Sequence, residues 1–222
     1  MTTTEHPVRG RTLPVAAPLT SLRDLERRVN GCRACDLHRD RITPVVAEGP
    51  VDADLMIVGA VPGRHEDLQG RPLAGAAANV LHHALATAGV PREDVHLATT
   101  VRCRPKDDRT PSRDEVEACL PHLHAHIALV APKVIVALGE AVTHVLLGRP
   151  VPLSRVAGYR LDVLDGITLI PTYHPVDVVR GVPQASASVT RDLAAAKAVL
   201  DGRLRTGAQT LADLRSRTAA DG

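Results

Sequence analysis

Four short apolar runs restrict what this chain can fold into. Leu55, Met56, Ile57 and Val58 run into Gly59; residues 95–101 are rich in β-branched side chains; residues 134–138 run into Gly139; and Ile167, Thr168, Leu169 and Ile170 lead through Pro171 to His174. Each is about strand length and close to continuously apolar, the pattern of a strand covered on both faces. The stretches between them carry helical signals. Leu19, Leu22, Leu25 and Val29 recur at helical spacing, and residues 79–88 form a helix closed by Gly89. A longer helix opens at Ser112, where Ser112 and Glu115 match a capping box, and runs to about Val130, short of Pro132. A short helix reaches Leu147, and an Ala-rich one spans 188–204. Strands alternating with helices predict an α/β fold, a three-layer α/β/α arrangement around a central four-stranded parallel sheet.

The 222 residues suit one domain, placed at 19–204. It follows a flexible lead-in (1–18) rich in Thr, Pro and Arg and precedes a tail (205–222) with one loose helix near 211–217. In such sheets ligands bind beyond the carboxyl ends of the strands. The loops 59–75, 102–109 and 174–180 all follow strand ends and are expected to meet on one edge.

A hydrophobic fraction of 44% with 23% charged residues is that of a soluble globular protein. No apolar run is long enough to span a membrane, and the N-terminus has no signal-like apolar stretch, so a cytoplasmic, monomeric protein is expected. The net charge of +2 does not by itself announce a nucleic-acid partner. Its distribution is more suggestive: Arg102, Arg104, Lys106, Arg109 and Arg113 crowd one stretch, and Arg149, Arg155, Arg160 and Arg180 follow. Scattered surface arginines are the blander explanation. Phe and Trp are absent, so a ligand needing an aromatic face must use Tyr159, Tyr173 or a histidine.

Only four cysteines occur, Cys32 and Cys35 as C-x2-C, and Cys103 and Cys119 as C-x15-C. Disulfides are not expected in a cytoplasmic chain. Four thiolates match the complement of an iron–sulfur cluster or of structural zinc, although the second pair is wide for a zinc knuckle. Spacing alone leaves cluster, zinc and unrelated buried thiols all open.

The order of several segments goes further. Cys32 to Leu37, Gly59-Ala60-Val61-Pro62-Gly63 with Arg64 to Asp67, Gly70 to Gly75, Val101 to Pro105, Glu115 to Cys119, Pro132 to Gly139, and Pro171-Thr172-Tyr173-His174-Pro175 together resemble the iron–sulfur, family-4 uracil-DNA glycosylases, from about Leu19 to Leu204. The resemblance implies a structural [4Fe–4S] cluster on Cys32, Cys35, Cys103 and Cys119, and a DNA partner whose target base is flipped into a pocket for cleavage of its N-glycosidic bond. It implies His174 as hydrogen-bond donor to the departing base, and Gly59, Ala60, Val61, Gly63, Leu73 and Thr99 as the base pocket. Arg180 is expected to contact phosphate, and Arg104 either to do likewise or only to support the cluster loop.

Three pocket positions depart from the family pattern. Ala60 stands where an acidic residue is usual, Leu73 where a stacking aromatic is, and Thr99 where a uracil-reading Asn is. Glu66 is the candidate substitute carboxylate, with Asp67 on the same loop. The pairs His82/His83 and His122/His124/His126 are read as structural or solvated. Three functions follow: a glycosylase for uracil or another deaminated or modified base, a DNA-binding pseudoenzyme on the same scaffold, or a non-DNA role for the cluster such as redox sensing.

Overall fold

A computed structural model describes residues 21–163 and 166–204. The lead-in and the expected tail helix lie outside these residues. Five strands form one sheet: β1 (Leu55–Gly59), β2 (Val95–Thr99), β3 (Val134–Leu138), β4 (Leu161–Val163) and β5 (Ile167–Thr172), in the order β2-β1-β3-β5-β4. The four anticipated strands are the parallel ones. The expected three-layer α/β/α fold with four parallel strands is present, and β4 adds a fifth strand, antiparallel to β5, at one edge. At three residues, Leu161-Asp162-Val163, this strand is too short to show a period.

Alternation along each strand divides the core into two layers. Leu55 and Ile57 of β1, with Val134 and Val136 of β3, pack toward α3 (Ala76–Thr87) and α8 (Ala185–Leu200). Met56 and Val58, with Ile135 and Ala137, pack toward α4 (Arg113–Val130), α5 (Glu140–Leu147) and α6 (Leu153–Val156). With almost no aromatics, both layers are filled by Leu, Val, Ile and Ala.

Three further helices shape the loops. In α1 (Leu22–Asn30), Ser21 caps the N-terminus by accepting from the Asp24 amide, and Leu25 and Val29 are fully buried. The short α2 (Arg64–Gln69) and α7 (Pro175–Val179) follow β1 and β5. Neither was expected from the sequence, since five or six residues give no helical repeat to read.

The capping box foreseen at α4 is present: the Glu115 amide donates to Ser112 Oγ, and Ser112 N donates to Glu115 Oε2 at 2.8 Å. Arg109 grips the same carboxylate through two bonds of 2.8 and 2.6 Å, tying the loop after β2 to the helix start. That pairing, with the cap, holds the Glu115 carboxyl well down, at about 2. Its folded-state value is depressed, so its stabilisation is full above the ordinary glutamate range and fades as pH falls toward 2. Glu115→Gln is therefore expected to lower unfolding free energy by about 1 kcal/mol at neutral pH, with the difference from wild type shrinking in acid. Denaturant titrations at pH 7 and pH 3 check this.

Candidate functional site

The carboxyl ends of β1, β2, β3 and β5 open into one cleft of about 930 Å³. Gly59, Ala60, Val61, Gly63, Glu66, Leu73, Thr99, His174 and Arg180 all line it. Of the residues predicted for the site, only Arg104 and the cysteines lie elsewhere.

His174 sits at the N-cap of α7, where β5 ends. Its own amide donates to Asp177 Oδ2 at 3.1 Å, and its Nδ1 accepts from the Val176 amide at 3.1 Å. An Nδ1 that accepts carries no proton, so the neutral ring is the Nε2–H tautomer. Burial holds the imidazole below its ordinary pKa; Arg180 reinforces that shift and Asp177 opposes it. The free Nε2–H faces the end of β1, since a Cβ built on Gly59 would lie 4.0 Å from it. Gly139, at φ +90°, lets α5 start beside the histidine, with a Cβ there only 3.6 Å from His174 Cβ. The result is one fixed, uncharged donor aimed into the cleft.

The cleft's carboxylates are already engaged. Glu66 accepts from Gly63 N at 3.0 Å through one oxygen and from Ala74 N at 2.7 Å through the other, so it clamps the loop it lies on. Asp177 holds the His174 amide, Glu140 accepts from Leu153 N at 2.8 Å, and Asp108 pairs with Arg104 at 2.6 Å. Asp67 is turned away, 1% exposed, and accepts from Ile42 N at 3.0 Å. Ala60 therefore leaves an apolar spot that no neighbouring carboxylate reaches across to fill.

The other pocket positions are equally specific. Thr99 is 3% exposed and its hydroxyl has no partner among the described residues. Leu73 adopts φ 51°, uncommon for a residue with a Cβ, and buries its side chain in the core beneath the cleft. Tyr173, one of the two aromatics, lines the wall, and Gln184 donates to its hydroxyl. Arg180 and Arg64 are exposed at the rim and pair with no carboxylate of the described residues. Arg104 differs: it is outside the cleft and committed to Asp108.

A second, small cavity is lined by all four cysteines. Cys103 and Cys119 are buried, Cys32 and Cys35 partly so, and all are free thiols. Donors converge on the sulfurs: Arg41 Nη1 on Cys103 at 3.0 Å, the Arg102 amide on Cys119 at 3.3 Å, and His122 Nε2 lies 3.3 Å from Cys32. Burial pushes the Cys119 thiol up to about 11 and raises Cys35 and Cys103 as well. Among the described residues no group of three or more His, Cys, Asp or Glu is placed to hold a metal ion. Four cysteine sulfurs lining one cavity are the donor set that either an iron–sulfur cluster or a structural zinc would use.

His122 and His126, read from sequence as structural or solvated, belong to the surroundings of this cavity. They follow Cys119 at three and seven residues, one face of α4, and that spacing was the available signal.

Comparison with known proteins gives a family match. Residues 46–194 match the uracil DNA glycosylase superfamily. The chain is similar to the type-4 uracil-DNA glycosylases of Thermotoga maritima (41% identity over 157 residues, 70% of this chain and 82% of that protein) and Pyrobaculum aerophilum (39% over 180 residues, 78% and 91%). It is also 36% identical over 168 residues to that of Archaeoglobus fulgidus, covering 72% and 84%. No described helix is long and apolar enough to cross a membrane.

The tautomer of His174 is directly measurable. Nitrogen-15 NMR at pH 6.5 is expected to show a neutral ring protonated on Nε2; an imidazolium, or a proton on Nδ1, contradicts the geometry.

Proposed function

The chain belongs to the uracil DNA glycosylase superfamily, and on that premise we propose that it is a DNA glycosylase, hydrolysing the N-glycosidic bond of a deaminated or modified base flipped from DNA. The observation that carries this is His174: a neutral imidazole, locked as the Nε2–H tautomer at the strand-end edge. Cleavage leaves negative charge on the departing base and positive charge on the sugar. A neutral donor already in place stabilises the base oxyanion without reorganising, a contribution of about 10²–10³ in rate. Arg180 and Arg64, unpaired at the rim, supply phosphate contacts that hold the nucleotide over the cleft.

The sugar side is where this chain differs from a uracil specialist. Glu66 is a loop clamp in this reading rather than a base for water, because both its oxygens are occupied by amides. Without a general base at Ala60, water attack loses roughly 10²–10⁴. Thr99 offers a hydroxyl that both donates and accepts, so it separates a uracil edge from a cytosine edge less sharply than an amide does. Slow excision with broadened base choice follows. The same engaged carboxylates favour a second reading, a DNA-binding protein with no turnover.

Cys32, Cys35, Cys103 and Cys119 would hold a [4Fe–4S] cluster, consistent with four thiols and three converging donors around one cavity. When bound, the cluster supplies a structural tie between the chain after α1, the loop after β2, and α4.

An excision panel on single- and double-stranded oligonucleotides carrying uracil, hypoxanthine, xanthine or modified cytosine tests the function. Excision of at least one base, reduced about 10²–10³-fold by His174→Ala, supports the glycosylase. DNA binding without product on every substrate supports the second reading. Ala60→Glu with Thr99→Asn is expected to raise uracil excision by about 10²-fold or more, and unchanged rates would count against the assigned loss. Arg180→Ala is expected to weaken binding to all sequences alike and to reduce the salt slope by about one, as fluorescence anisotropy across a salt series would read.

A further inference from the structure

Arg102 is the most anomalous residue in the described chain. It is 1% exposed and heads the largest fully buried side chains. No carboxylate among the described residues pairs with it. Nη2 lies 2.7 Å from His126 Nδ1, which accepts, while Nε and Nη1 have no partner among the described residues. An isolated buried cation costs several kcal/mol unless something opposite in charge faces it. Its other polar neighbours cannot serve. His126 accepts through Nδ1, so that nitrogen carries no proton, and His122 is likewise an imidazole that brings no negative charge. His96, its ring 5.5 Å from that of His126, donates Nδ1–H to Pro50 O. The groups that could carry the opposite charge are the sulfurs beside it, Cys119, which accepts from the Arg102 amide at 3.3 Å, and Cys103, the next residue, both lining the same cavity. As neutral thiols they give it nothing; as thiolates on a metal centre they carry the missing charge.

We propose that Arg102 is the internal counter-ion of the cysteine-bound centre: its guanidinium, walled in by histidines, balances the net negative charge that four thiolates bring to the cavity. This rests on the cysteine-held cluster put forward above. Arg41 plays a different part. It binds the Cys103 sulfur and also the Asn30 and Cys32 carbonyls, from the outer side of the cavity, where water shares the load. Arg102 is 1% exposed, in the protein interior, so its charge is screened less by solvent than that of Arg41. Two consequences follow. The centre is held more tightly with the cation than without it, and the reduced form, which carries one more negative charge, gains more than the oxidised form.

The test compares anaerobically reconstituted wild type, Arg102→Lys and Arg102→Gln. Glutamine keeps a donor toward His126 and removes the charge; lysine keeps the charge. Iron and acid-labile sulfide per chain, the reduction potential, and the thermal midpoints of loaded and chelator-stripped protein are read. Arg102→Lys is expected to retain iron near the wild-type level. Arg102→Gln is expected to need at least tenfold more iron for half-loading, and its loaded fraction to show a potential about 59 mV lower for each tenfold bias against the reduced centre. Stripping is expected to destabilise the wild type more than Arg102→Gln, because only the wild type is left with a buried unpaired cation. Equal iron retention and equal potential in the glutamine variant would overturn the proposal, as would equal losses in both variants, which would mark a role in packing alone. A wild type that takes up no iron or sulfide overturns the cluster itself, a failure the variants cannot mimic.

Discussion

Parallel pairing of β2, β1, β3 and β5 is the constraint from which the rest of the molecule follows. Parallel strands send every carboxyl end to the same edge, so Gly59, Thr99, Gly139 and His174, far apart in sequence, become neighbours without any loop having to search for them. The glycines there keep the strand ends slim. The histidine then needs only one more device, the start of α7, to fix its ring: the Val176 amide takes Nδ1 and the Asp177 carboxylate takes the backbone amide. The geometry of this edge is thus a by-product of topology refined by two hydrogen bonds.

The same edge shows how little a site's residue types say about what they do. Glu66 lies in the cleft, on the loop where a substitute carboxylate was sought, yet both oxygens are bound to main-chain amides. Freeing it for proton transfer would release Gly63 and Ala74 together. Loop architecture and general-base chemistry compete for one carboxylate here, and architecture has it. No carboxylate of the cleft is thus free to stand in at Ala60, and the fixed hydrogen-bonding group the cleft presents is the His174 ring.

Much of this was legible in the residues. Strands covered on both faces are nearly continuous apolar runs, so β1, β2, β3 and β5 announced themselves, as did α4 through Ser112 and Glu115. β4 did not, since three residues establish no alternation, and it appears only because β5 has a free flank to pair with. The cleft was foreseen from strand ends and motif order. Arg104, expected to contact phosphate or to support the cluster loop, pairs with Asp108, an i,i+4 partner that the sequence displays. Arg102 was counted with the basic residues of its loop; that its side chain turns inward depends on the cavity behind Cys119, which no local pattern encodes.

The short β4 has an effect on the outside of the molecule as well. A row of open amides and carbonyls along a sheet border invites a strand from another chain. Here one border is a three-residue strand with Asp162 exposed at its middle, and at the other, Glu48 exchanges main-chain hydrogen bonds with Leu97. Both flanks are thereby blunted against pairing with a strand from another chain.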